Sequence, residues 1–239
     1  MTTVSVKPCV PMTLALGVAV ALLTSCTTSV GGSPAAAPQT VTPSTTSAVA
    51  APAPGPDLQA VTLGVDELRR ITNDPSLVKT ATWRHAGVGL SMTFTPPQCS
   101  VVATNGLHAA LDGSGQIGMY YVNYTSTASP GAQVSEGAVG FPDPGAARAW
   151  IGAQQAVWQQ CANSDVVLKV ADQSGAQHNQ ALQVKPDALS MQAVVGPGIQ
   201  CTRTMAARNR VVVDNLVCSA DSAGAATAIQ NAMLDKVPQ

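Results

Sequence analysis

Three histidines, His85, His108 and His178, are the first candidates for metal or proton chemistry in this chain. None stands at a metal-ligand spacing such as H-x-x-x-H, so the expectation is exposed or hydrogen-bonded imidazoles and no metal centre. Gly113-Ser114-Gly115-Gln116-Ile117-Gly118 matches G-x-G-x-x-G. That motif holds a dinucleotide only when a strand precedes it and a helix follows, so that phosphate meets the helix N-terminus. Here the order is reversed, and the segment reads as a Gly-rich turn with no cofactor. No G-x-S-x-G elbow occurs. A hydrolase would need a site assembled from residues distant in sequence, and the expectation is a protein without catalysis. The three tyrosines, Tyr120, Tyr121 and Tyr124, fall within five residues of one strand-like run, Gln116 to Thr125. Either that strand is buried on both faces, or one face is core and the tyrosines line a cleft, where rings supply area and hydroxyls direct hydrogen bonds. On the second reading Tyr120 and Tyr121 are candidate ligand-binding residues.

Cysteine carries the clearest chemistry. There are six: Cys9, Cys26, Cys99, Cys161, Cys201 and Cys218. Met12 to Leu23 is a 12-residue apolar run. As helix it would span about 18 Å, short of a hydrocarbon core of about 30 Å. It reads as the apolar core of a signal peptide, with Lys7 as a weak positive flank. Leu23-Thr24-Ser25-Cys26 follows and has the pattern of a bacterial lipobox. Small residues let a peptidase reach the bond, and the Cys26 sulfur takes the lipid. Residues 1–25 are then a signal peptide that removes Cys9, and the partner this implies is a membrane, reached through the lipid. Four cysteines remain, an even number in an exported domain, where disulfides persist.

The elements must bring those four together. Cys201 and Cys218 flank two extended runs that meet near Arg208-Asn209-Arg210. Asn tolerates positive φ and suits a turn there. An antiparallel hairpin centred on it sets Cys201 opposite Cys218, within disulfide reach. Of the three connectivities that four cysteines allow, this favours Cys201–Cys218 and leaves Cys99 with Cys161. In the same register Arg203 faces Leu216, with Asp214 its diagonal neighbour on the same face, about 7–8 Å away at Cα. Arg203 and Asp214 are expected within salt-bridge or water-bridged reach. Were they to lie in a cleft, Arg203 would be the best anion-binding candidate in the chain.

Composition sets the frame. The chain has 239 residues, of which 10% are charged and 3% aromatic, and its net charge is −1. No basic run exists, so nucleic acid is not an expected partner. Residues 8–56 hold no Asp, Glu, Lys or Arg. Within them, residues 26–56 contain six Pro and ten Ser or Thr. Such a segment lacks the apolar surface to fold and reads as a disordered tether. Residues 57–239 suffice for one sizeable core.

Helices are expected over Gly64–Thr72, Cys99–Leu111, Asp143 to about Cys161, and from Asp221 or Ser222 to the end. The third has Asp143 as N-cap and Pro144 at its first position. Strands are expected over 90–95, 116–125, 133–141, 165–170, 180–185, 191–195, 200–206 and 211–217. This pattern is α+β: a twisted antiparallel sheet with packed helices, in one domain with two disulfides.

Four features then coincide. One is the segment C-T-R-T-M-A-A-R-N-R-V-V-V-D-N-L-V-C, and another is the closing helix A-I-Q-N-A-M-L-D-K-V-P. The third is F-P-D-P-G-A-A-R-A-W followed by V-W-Q-Q-C, and the fourth is the lipobox with its Pro/Thr-rich linker. Together they resemble the extracytoplasmic sensor domain of mycobacterial membrane serine/threonine kinases and of related lipoproteins, over about residues 60–237. The resemblance implies a twisted antiparallel sheet with a large cleft, the same two disulfides, and binding of an extracellular or envelope ligand. The chain departs from the kinases in having neither a kinase domain nor a spanning helix.

Overall fold

Asp143 followed by Pro144 starts a helix where the sequence says it should. Pro144–Cys161 is helical, and the Asp143 carboxylate accepts from the Ala146 N–H at 2.9 Å. The computed structural model describes residues 55–87, 92–128 and 131–239. Signal peptide, Cys26, all but the last two residues of the tether, and the first two residues of the strand expected at 90–95 lie outside the described residues.

In chain order the helices are α1 (Leu58–Val61), α2 (Val65–Thr72), α3 (Ser100–Ala103), α4 (His108–Leu111), α5 (Pro144–Cys161) and α6 (Ser222–Lys236). The strands are β1 (Leu77–Trp83), β2 (Met92–Thr95), β3 (Gly118–Ser126), β4 (Gln133–Gly140), β5 (Asp165–Val170), β6 (Gln173–Asn179), β7 (Gln183–Lys185), β8 (Ala188–Gly196), β9 (Ile199–Arg208) and β10 (Val211–Ser219). They form one sheet in the order β1-β3-β4-β10-β9-β8-β6-β5-β2, with β7 beside β8. Every strand pair is antiparallel. The α+β class read from the sequence holds.

Helices cover both faces. Against one pack α1, α2 and α6, through Leu58, Val61, Leu68, Ile229 and Met233. Against the other packs α5, through Ala147, Trp150, Ile151 and Trp158, with α3 and α4 beside it. Both disulfides form as expected. Cys201 and Cys218 are directly opposed in the β9–β10 register. Cys99–Cys161 ties the end of α5 to the 3-10 turn Pro97–Cys99.

The sequence reading needs correction in several places. The helix expected over 99–111 is two short helices, α3 and α4, parted at Thr104-Asn105-Gly106-Leu107, where Gly106 has φ +70°. Strands β1 and β6 were not expected. β1 carries a register shift between Lys79 and Ala81, and β6, QSGAQHN, has no β-branched residue at all. Its place comes from pairing with Val-rich β5. The strand expected at 180–185 shortens to β7.

Candidate functional site

Strand alternation builds the floor of a cleft. Met119, Tyr121, Asn123 and Thr125 of β3 share a face. The register sets Ser135 beside Asn123 and Gln133 beside Thr125, then Leu216 beside Ser135 and Cys218 beside Gln133. With walls from Trp83 of β1, Gly87, Met92 and the loop Thr104–Leu107, they enclose about 300 Å³. The loop is the break between α3 and α4. It is joined to the segment after β1 by the Gly87 N–H, which donates to Gly106 O at 3.0 Å.

A buried network clamps that loop to the sheet. Arg203 and Asp214 are each 1% exposed. Arg203 donates from Nε to Asp214 Oδ1 at 3.1 Å and from Nη2 to Oδ2 at 2.9 Å, a bidentate pair. Its Nη1 donates to the carbonyls of Val101 and Thr104. Tyr121 Oη donates to Asp214 Oδ2 at 2.8 Å. Asn105 Nδ2 reaches across to the carbonyls of Ser135 at 3.3 Å and Asp214 at 3.1 Å. Burial, and then the Asp214 carboxylate, push the Tyr121 hydroxyl well above the ordinary tyrosine range, so it stays a donor. Four of the five Arg203 N–H groups are spent on Asp214 and the loop carbonyls, and its guanidinium carbon lies 5.3 Å from the Trp158 ring centroid. The expected Arg203–Asp214 contact is present. It is a buried clamp behind the cleft wall, not an anion site.

Residues 53–236 match the model of the PknH-like extracellular domain. The chain belongs to that family. The crystal structure of the extracellular domain of PknH from Mycobacterium tuberculosis superposes with a TM-score of 0.70 at 20% identity, covering 75% of this chain and 93% of that one. At that identity the match speaks for the fold. A search of curated protein sequences finds no match. The likeness read from the C-terminal hairpin and helix, to the sensor-type domain of mycobacterial kinases, holds.

Within this PknH-like domain the tyrosines part company. Tyr121 lines the cleft, whereas Tyr120 points to the opposite face, into the α6-side core beneath Arg84, whose guanidinium lies 4.8 Å from the ring centroid. Period-two alternation sends neighbours to opposite faces, so Tyr120 leaves the ligand-binding set. Both readings of the Tyr-rich strand turn out to be compatible: β3 is buried on both faces, and one face carries the cleft. Trp83, Asn105 and Ser135 were not singled out. Trp83 sits in a strand the sequence did not reveal, while Asn123 already shared Tyr121's face in the alternation.

The histidines stand apart. His108 pairs with Asp112 at 2.9 Å and His178 with Asp165 at 2.7 Å, all exposed, and His85 is exposed too. Among the described residues no three His, Cys, Asp or Glu are grouped to hold a metal. The G-x-G-x-x-G segment is a turn after α4 leading into β3, with Gly113 and Gly115 at φ +72° and +76°.

Proposed function

We propose that this protein is an exported lipoprotein whose PknH-like domain holds an extracellular or envelope ligand in the cleft and does not transform it. Residues 1–25 serve as the signal peptide, Cys26 carries the lipid, residues 26–56 are the tether, and residues 57–239 form the binding domain. The observation that carries the binding reading is the cleft of about 300 Å³, with its wall fixed to the sheet by Arg203, Asp214 and Asn105. The family's extracellular character and the two disulfides support export. The titratable groups among the described lining residues are Tyr121 and Tyr124, whose hydroxyls are committed as donors to Asp214 and to the Leu63 carbonyl. Among those lining residues there is no carboxylate, histidine, lysine, arginine or free thiol, which favours capture over catalysis. Among the described residues no helix is long and apolar enough to cross a membrane. Exposed Val194, Val195 and Ile199 around the β8–β9 turn favour a second reading, a lipoprotein that docks another protein.

Two experiments separate the parts of this reading. Native mass spectrometry of the protein purified from its own envelope should reveal a bound small molecule. That molecule should be absent when Ser135→Trp fills the cleft. Cys26→Ala should leave an unprocessed or unanchored protein; a variant cleaved like the native protein that still resists a carbonate wash would remove the lipid anchor.

A further inference from the structure

The cleft floor changes character along its length. At one end stand Met119, Tyr121 and, opposite Tyr121 in the register, Trp83. At the other stand Asn123 beside Ser135, then Thr125 beside Gln133. From Met119 to Thr125 is six strand steps, about 20 Å. Among the described lining residues none carries a formal charge. The nearest ion pair, Arg203–Asp214, is neutralised by its own bidentate bond and spent on the loop. An ionised ligand would leave water for a site with nothing to pair it, which is strongly unfavourable. Among the described lining residues one buried polar atom lacks a partner. Asn123 Oδ1 is buried at the point where the apolar floor gives way to the polar one, and it accepts no hydrogen bond within the protein. A buried acceptor left unmet costs about 1–3 kcal/mol, a cost that a ligand donor recovers when the Asn123 amide turns toward it.

We infer that the cleft takes an uncharged amphipathic ligand, with a hydroxyl- or amide-bearing head hydrogen-bonded to Asn123 and an apolar or aromatic body against Trp83, Tyr121 and Met119. This rests on the reading of the cleft as a binding site and adds the ligand's chemical class. Leu216 and Cys218 line the cleft beside Ser135 and Gln133. Gln133, exposed at the polar end, controls which head group is accepted.

The test uses the mature chain, residues 26–239, carrying Cys26→Ala, and three probes with one tail: octyl glucoside, octyl sulfate and octylammonium, each below its micelle concentration. Calorimetry should show octyl glucoside binding at least tenfold more tightly than either ion. Asn123→Leu should weaken the glucoside by tenfold or more. Gln133→Lys, at an exposed position where folding is not at stake, should raise octyl sulfate affinity several-fold. Competition by glucosyl-diacylglycerol in neutral vesicles would assign the head group to a lipid; failure to compete would assign it to a free molecule. An ion binding as tightly as the glucoside, and lost in Trp83→Ala, would overturn the ligand class and leave cleft binding standing. Glucoside binding unchanged by both Asn123→Leu and Trp83→Ala, or no binding of any probe, would overturn the cleft reading itself.

Discussion

One buried acid, Glu136, bears on how this domain responds to pH, and another, Asp214, on how it responds to substitution. Glu136 of β4 faces the α6 side with 0% exposure. Its Oε1 accepts from the Leu63 N–H at 3.2 Å, and Oε2 has no partner within the protein. Across the sheet it is followed by Asn215 and then Thr204, also buried and also with unpartnered polar atoms. Burial pushes the Glu136 carboxyl up to about 8, against the pull of the Leu63 N–H and the Lys236 charge; Glu67 adds to the upward push. The native protein thus holds a proton that the unfolded chain releases above about 4.5. This contribution to stability is complete below that value and is lost as pH rises through 8, with a slope of up to about 1.4 kcal/mol per pH unit. Glu136→Gln should match the native protein near pH 5 and exceed it at pH 8 in urea denaturation. A variant that falls with pH as steeply as the native protein would refute the assignment. Asp214 is the opposite case, an acid whose charge is wanted. Asp214→Asn leaves the Arg203 charge buried without its counter-ion, and should cost roughly 3–5 kcal/mol. Arg203→Met with Asp214→Leu should cost far less than the two single changes added together. Additivity in that cycle would mean the pair is not coupled.

At the scale of elements, the same small residue has opposite meanings in β4 and α5. A Cβ at Gly137 would overlap the Tyr121 ring, whereas one at Gly152 meets nothing within 4 Å. Gly137→Ala should destabilise by about 1–3 kcal/mol, because the ring that holds Asp214 must move. Gly152→Ala, on the exposed side of a helix, should stabilise by roughly 0.5–1 kcal/mol. Thermal melts of both variants check the pair; equal shifts of one sign would contradict the packing. This contrast also explains which elements the sequence disclosed. Helix α5 was legible to the residue because its start is written in Asp143-Pro144. The β9–β10 register was legible because two cysteines and one turn leave little freedom. β6 was not, since Gln173 and Ser174 carry no strand signal of their own and the neighbouring strand supplies it; β1 went unread although Val78, Thr80, Thr82 and Trp83 favour a strand, because its residues do not alternate cleanly between apolar and polar. The cleft was legible only in part. Alternation along β3 put Asn123 with Tyr121, but nothing local says that the segment between α3 and α4 arches over that face. The break at Thr104-Asn105-Gly106, between α3 and α4, is the loop that makes the wall.

For the whole molecule, the sheet fixes where the chain enters relative to the cleft. Pro56 lies against Gly140, where a Cβ would meet its Cγ at 3.0 Å, at the end of β4. The polar end of the cleft is at Gln133, where β4 begins. Seven strand steps, about 23 Å, separate the two. The chain therefore enters the domain at one end of β4, and the polar end of the cleft lies at the other. The first described helix is part of the core: Leu58 and Val61 of α1 are 9% and 1% exposed, and the Asp57 side chain caps α1 through the Ala60 N–H at 3.2 Å. The Lys236 ammonium donates to Thr62 O at 3.0 Å, joining this segment to α6. Removing everything before Gly55 takes away only tether and should leave the melting temperature within about 2 °C of the longer mature protein. Removing α1 as well exposes the surface that Leu58 and Val61 cover, a loss of roughly 3–5 kcal/mol, and frees the N-terminal edge of the α6-side core. The melting temperature should then fall by about 8 °C or more. A large drop on the first truncation would mean that the Pro/Ser/Thr-rich segment packs on the domain. No drop on the second would mean that α1 contributes nothing to the core it covers.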